Sequence, residues 1–206
     1  MAYRRTPRIQ ARLESQRASL ITAAADILAE SGYAGCSIAA VSARAGVASG
    51  SVYTHFRSKA ELAAEVFRTI VTREVAAVRE AAATGPAIDR LAAVIDTFAG
   101  RALKSPRRAY ALLAEPVDPA VDALRLEFRQ AYRDVIADAI DAGVHAGELP
   151  PQNATVVAAA LVGAIGEALV GPLVTGATDS DRDPDTLPTL TRFAIRAVGG
   201  NDRADA

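Results

Sequence analysis

The chain has 206 residues, a formal net charge of −1 and 50% apolar residues. That is enough apolar material for one large core or two smaller ones, which excludes a disordered chain. A single cysteine, Cys36, excludes an internal disulfide framework and fits a reducing cytoplasm.

Frequent alanine and few aromatic residues favour helix throughout, and the spacing predicts an all-α protein of about nine helices. Residues 1–10, with Arg4, Arg5 and Arg8, read as a basic arm able to follow a phosphate backbone or enter a minor groove. A first helix, α1, is expected from about Ile9 or Arg12 to Ser31. Leu13, Leu20, Ala24, Ile27 and Leu28 form its inner face, and Gly32 stops it. Cys36 beside Ser37 reads as a small packed residue, with a redox role as the alternative.

Ser37 caps α2, Ile38 and Val41 give it an apolar stripe, and Ala45-Gly46-Val47 ends it. Gly46 suits a left-handed turn that other residues adopt only at a cost. Ser49 caps a short α3 running to about His55. Val52 and Phe56, at i and i+4, anchor it, while Ser49, Ser51, Thr54 and His55 occupy its outward side. Two short helices about a tight turn make a helix–turn–helix, whose second helix fits the major groove of DNA. Gly50 lets the backbone approach the duplex, and Tyr53, His55 and Lys59 can reach phosphates. The candidate DNA-contacting set is Arg4, Arg5, Arg8, Ser37, Ser49, Gly50, Ser51, Tyr53, Thr54, His55 and Lys59. Charge agrees: residues 1–59 carry eight Lys/Arg against three acids, and residues 60–206 fifteen against twenty-one. Positive charge concentrated at the motif favours phosphate whatever the net charge.

Ser58 and Glu61 form a capping-box pattern at the start of α4, which continues to about Ala83. Leu62, Val66, Phe67, Ile70, Val71, Val75 and Val78 mark its apolar face. With one end at the DNA-binding unit and the other beyond it, α4 is the candidate mechanical link. Helix α5 is expected over about Ala87–Leu103, and α6 from Ser105-Pro106 to Ala114. Glu115 to Pro119 is a rigid turn. Asp118 caps a long α7, with Pro119 at its first position, to about Ala146. Asn153 caps α8, from Ala154 to about Val174. Thr175 to Thr186 is a polar, acidic loop, and α9 runs from about Pro188 to Val198. The apolar stretch of α8 is interrupted by Glu167, Gly163, Gly166, Gly171 and Pro172, which favours a packed helix over a membrane span.

Catalytic residues, metal ligands and cofactor motifs are not expected. There is no His/Cys/Asp cluster at metal-ligand spacing and no glycine-rich phosphate loop. His145 suits the negative end of α7. Asp134, Asp138 and Arg133 read as solvated faces. Helices α4 to α8 hold more apolar residues than a DNA-binding module needs, which leaves room for a small-molecule pocket. Tyr110, Arg125, Phe128, Tyr132 and Glu167 are the candidate ligand contacts. Glu167 in particular is a lone carboxylate that needs a partner or water. The apolar faces of α8 and α9 suit a dimer surface.

Thr22-Ala23-Ala24, Ile27-Leu28, Gly32-Tyr33, Ser37-Ile38, Val41, Ala45-Gly46-Val47, Gly50, Val52-Tyr53, His55-Phe56, Lys59 and Leu62 resemble, in order and spacing, the DNA-binding signature of TetR-family transcriptional regulators. The resemblance implies a DNA-binding domain over 1–59 and a helical ligand-binding and dimerisation domain over 60–206. It also implies a cytoplasmic homodimer paired through α8 and α9. Such a dimer would be released from a palindromic operator on double-stranded DNA by a small-molecule effector, with α4 carrying the ligand-induced movement. An activator of the same fold is one alternative. A helical binding protein or enzyme without a DNA role is the other.

Overall fold

The structure, a computed structural model, describes residues 6–174 and 183–200. Every regular element among them is helical: α1 (Pro7–Gly35), α2 (Ile38–Arg44), α3 (Ser49–Val52), α4 (Lys59–Ala81), α5 (Ala87–Lys104), α6 (Pro106–Leu113), α7 (Pro119–His145), α8 (Ala154–Val174) and α9 (Thr186–Ala197). The expected helix order holds. Of the polar loop expected at Thr175 to Thr186, residues 175–182 lie outside the described residues, and α9 already begins at Thr186.

The bounds of α1 and α3 also differ from the sequence reading, and α1 continues to Gly35 past a kink at Gly32, where a stop was expected. Helix α1 starts at Pro7, because a proline at the first helical position has no N–H to leave unpaired. Arg8 therefore lies in its first turn and not in an extended arm. Helix α3 stops at Val52 and does not reach His55. The N–H groups of Thr54 and His55 bond three residues back, to Ser51 and Val52, so the chain tightens into turns.

The helices enclose two cores. The first gathers Leu20, Ala24, Ile27 and Leu28 of α1, Val41 of α2, Val52 of α3 and Phe56, together with Leu62, Val66 and Phe67 of α4. The same cluster includes Ala111 of α6 with Val121 and Leu124 of α7. The second gathers Val78 of α4, Leu91, Val94 and Ile95 of α5, Ile136 and Ile140 of α7, and Leu161, Ile165 and Leu169 of α8. Helix α4 thus runs unbroken across the 59/60 boundary read from the sequence and contributes to both cores.

Cys36 is buried in the first core. Burial pushes its thiol up from the ordinary value, so the reactive thiolate is disfavoured and a packing role fits. Helix α8 has the length and composition to cross a membrane, with mean hydropathy 2.0, yet only 28% of that window is buried within the chain. Its inner stripe is Ala158, Leu161, Ile165, Leu169 and Leu173. Val156 is 61% exposed, and Ala160, Gly163, Ala164, Ala168 and Gly171 form an exposed stripe of small apolar residues along the other side.

Candidate nucleic-acid interface and effector cavity

Helix α3 is too short to hold itself, so its neighbours hold it. Val52 and Phe56 are 0% and 2% exposed, as their i, i+4 spacing requires of an anchor. Gly46 has φ of +68°, a left-handed turn that a side chain would strain. The preceding helix is capped as expected, with the Ser37 hydroxyl accepting from the Ala40 N–H at 3.1 Å.

Ser49 does not cap α3. The N-cap is Ala48, whose methyl cannot accept a hydrogen bond. The buried Ser42 hydroxyl donates to the Ala39 carbonyl at 3.0 Å, leaving its oxygen to accept from Ser49 at 2.9 Å. This bond ties α3 to α2.

The outward surface of this unit carries Ser49, Gly50, Tyr53 and Thr54, all exposed, with Ser51 half-buried beside them. Tyr53 is 58% exposed, an unusual place for so large a ring. A methyl added at Gly50 would meet nothing within 4 Å, and φ there is not positive, so the fold itself makes no demand for glycine.

Two of the expected contacts are drawn back into the protein. His55 is half-buried, with Nε2 3.0 Å from the Gln16 Oε1, so it braces α3 against α1. Burial first, then the Arg17 charge, lowers its pKa. Lys59 is half-buried, with Nζ 4.4 Å above the Tyr33 ring centre. Arg4 and Arg5 lie outside the described residues. Arg12 and Arg57, which sequence reasoning counted only as charge, are exposed. Arg12 stands one turn before Gln16 on α1, hence on the flank next to α3. The His55–Gln16 bond and the Arg17 guanidinium 5.2 Å over the Phe56 ring reveal that neighbourhood.

The lowered pKa gives a pH prediction. The unfolded chain binds a proton near pH 6.5, whereas folded His55 does so only at lower pH. Stability from this residue is therefore present above pH 6.5, is lost as pH falls toward the depressed value, and is flat below it. Thermal midpoints measured from pH 7.5 to 5 should show a fall that His55→Gln reduces. An identical profile in the variant would refute the assignment.

A second set of bonds joins α1 to the segment between α6 and α7. At Gly32 the backbone takes φ 69° and ψ −171°, a region essentially confined to glycine. The turn that follows presents the N–H groups of Tyr33 and Ala34 to the Glu115 carboxylate, at 2.8 and 3.1 Å. The Tyr33 hydroxyl donates to the Asp118 carboxylate, and burial with this bond raises the tyrosine pKa. Asp118, expected to cap α7, makes no side-chain cap because its carboxylate is engaged here. At the α4 junction, Ser58 accepts from the Glu61 N–H at 3.1 Å. The Glu61 carboxylate reaches Arg57 N at 2.6 Å, one residue before the expected Ser58 N–H.

Arg125 secures the α6–α7 loop. Its Nε donates to the Leu112 carbonyl at 2.9 Å, and Nη2 to the carbonyls of Ala111 and Glu115 at 2.7 and 2.6 Å. Nη1 pairs with Asp122 at 2.9 Å. The guanidinium thus serves the unpaired carbonyls at the end of α6. It also borders a cavity of about 450 Å³, large enough for a drug-sized molecule.

Phe128, Tyr132, Glu167, Phe98 and Ile95 line this cavity together with arginines 101, 108, 129 and 133. Tyr110 does not; it packs against the second core. Phe98 and Tyr132 meet at 4.9 Å between ring centres. Burial, then the Glu74 charge, raises the Tyr132 pKa. Arg133, expected on a solvated face, borders the cavity with its Nε buried. Among the described residues no group of three or more His, Cys, Asp or Glu could hold a metal ion.

Against known proteins, residues 20–66 match the model described as bacterial regulatory proteins, tetR family. Residues 84–168 match the model described as tetracyclin repressor-like, C-terminal domain. No curated protein matches the sequence. Among solved structures, the transcriptional regulator FadR from Bacillus subtilis, in complex with stearoyl-CoA, is similar with TM-score 0.73 and 20% identity, covering 89% of this chain and 98% of that one. The fatty acid degradation regulator FadR from Bacillus halodurans is similar with TM-score 0.74 and 16% identity, covering 96% and 97%. A TetR transcription regulator from Haloarcula marismortui is similar with TM-score 0.76 and 20% identity, covering 90% and 97%. At these identities the likeness is one of fold.

Proposed function

We propose that this chain, which belongs to the tetR family of bacterial regulatory proteins and is a DNA-binding transcriptional regulator, not an enzyme, acts as a homodimeric repressor released from a palindromic operator by a small molecule. The observation that carries the reading is the outward surface of α3. A short helix with a buried anchor presents two small residues, and the turn after it a threonine and a largely exposed tyrosine, to whatever lies outside. Few of these groups read base edges strongly, so shape and close backbone approach dominate recognition. Arg8, Arg12 and Arg57 join this set as phosphate contacts, and Arg4 and Arg5 remain candidates from the sequence. Division into a DNA-binding unit over 1–59 and an effector and dimer unit over 60–206 goes with this reading, as does a cytoplasmic location.

Dimerisation through α8 and α9 is supported by the exposed small-residue stripe of α8 and by Phe193 of α9, 46% exposed. A helix this apolar does not stay in water, and small side chains let a second copy come close. The two α3 helices would then enter successive major grooves about 34–36 Å apart. A ligand preferring a dimer with another spacing weakens DNA binding by linkage. The stearoyl-CoA held by the B. subtilis regulator of the same fold supports assigning the cavity to an effector, with Phe128, Tyr132 and Glu167 as contacts.

A mobility shift on palindromes beside the chain's own gene tests this, read at two salt concentrations. Binding should weaken steeply with salt, as phosphate contacts require. Ala164→Arg, in the exposed stripe, should give monomers by analytical ultracentrifugation and abolish the shift while keeping the helical circular dichroism. A dimer that survives this charge would place the pairing surface elsewhere.

A further inference from the structure

Taking the cavity as the effector site, we propose that its ligand is an amphipathic anion. The acidic head lies against Arg108, Arg129 and Arg133, and the apolar body among residues such as Ile95, Phe98 and Val162. Five arginines line the cavity against two glutamates. Two of the five are committed. Arg101 forms a two-bond pair with Glu74, at 2.5 and 3.0 Å. Arg125 is held by three carbonyls and Asp122.

The other three are not neutralised. Arg108, half-buried, and Arg129, exposed at the cavity rim, have no hydrogen bond or ion pair among the described residues. Arg133 makes one bond, from Nη2 to Gln130 Oε1 at 2.5 Å, and its Nε is buried with no acceptor. Arg129 and Arg133 stand one turn apart on α7, where like charges repel. A buried guanidinium N–H without an acceptor is rare and calls for an explanation. A planar carboxylate or phosphate matches the guanidinium fork and offers oxygens to several donors at once.

Other ligand classes fit less well. A cation would face three guanidiniums with Glu167, exposed on α8, as the only carboxylate at the cavity, among the described residues, not held by an arginine. A neutral apolar molecule would fill the space yet offer no countercharge to the three guanidiniums. The remaining lining, with Val94, Ile136 and Val170 among it, asks for an aliphatic or aromatic body.

Isothermal titration of the full chain with four twelve-carbon probes, below their aggregation concentrations, tests the class. Dodecanoate carries a carboxylate, dodecanoyl-coenzyme A carries phosphates, dodecanol is neutral and dodecyltrimethylammonium is cationic. Saturable binding of one molecule per chain is expected for at least one anion, at least about tenfold tighter than for dodecanol or the ammonium. Which anion binds tells a carboxylate head from a phosphate one. Arg133→Gln and Arg129→Gln should each weaken that binding about tenfold, with folding checked by circular dichroism. Arg73→Gln, exposed on α4 away from the cavity, should not. Equal or tighter binding of dodecanol or the ammonium, insensitivity to both cavity variants, or no binding of either anion overturns the proposal. A chain that ignores both anions yet still shifts an operator loses this ligand class and keeps its role as a regulator.

Discussion

Replacing Gly32 by alanine is expected to lower the unfolding free energy by about 3 kcal/mol and the thermal midpoint by about 10 °C. Two effects add. The φ 69°, ψ −171° conformation costs any side chain on the order of 1–3 kcal/mol. The new methyl would also stand 2.7 Å from the Glu115 Oε2, and backbone is fixed on one side of that contact. The carboxylate must swing away, loosening its bonds to the Tyr33 and Ala34 N–H groups, each charge-assisted and worth about 1.5–3 kcal/mol. Glu115→Gln separates the two effects: it keeps the shape but turns one of the two accepting oxygens into an NH2 that cannot accept, and should cost about 1.5–3 kcal/mol. A Gly32→Ala melting curve superimposable on that of the parent would show that the α1 turn is not held as described.

A second expected result runs the other way, with function lost and stability kept. Gly50→Ala should hold or raise the thermal midpoint, because alanine is favoured over glycine within a helix by up to about 1 kcal/mol and its methyl meets nothing. Operator affinity should nonetheless fall at least about tenfold, since the methyl stands between backbone and duplex. Tyr53→Ala should change stability by less than about 0.5 kcal/mol and weaken the operator complex about tenfold to a hundredfold. Paired melting curves and mobility shifts decide it. Undiminished DNA binding in both variants would mean that this surface is not the one that meets DNA.

Much of this is legible in the sequence itself. The 3.6-residue spacing along α4 marked its buried face, Leu62 to Val78, because an apolar stripe at helical period can only turn inward. Gly46, Val52 and Phe56 marked the turn and anchor of the helix–turn–helix, since the spacing is local and the chemistry unambiguous. What failed was long-range. Asp118 looks like a helix cap in sequence, and only the tertiary fold brings Tyr33 to it. His55 and Lys59 read as outward groups because Gln16 and the Tyr33 ring, which hold them, lie far away along the chain. Tyr110 and Arg133 exchanged roles for the same reason. Each sits on a helix with more than one partner, and periodicity alone does not say which partner it faces.

The length of α4 sets how far a small event can reach. At 23 residues it spans about 34 Å. Tilted by about 5°, a rod of that length displaces its far end by about 3 Å. A donor and acceptor parted by that much no longer bond. In a pair of related copies the two displacements add, so a rearrangement barely wide enough to admit a headgroup could carry the reading helices out of register with the grooves.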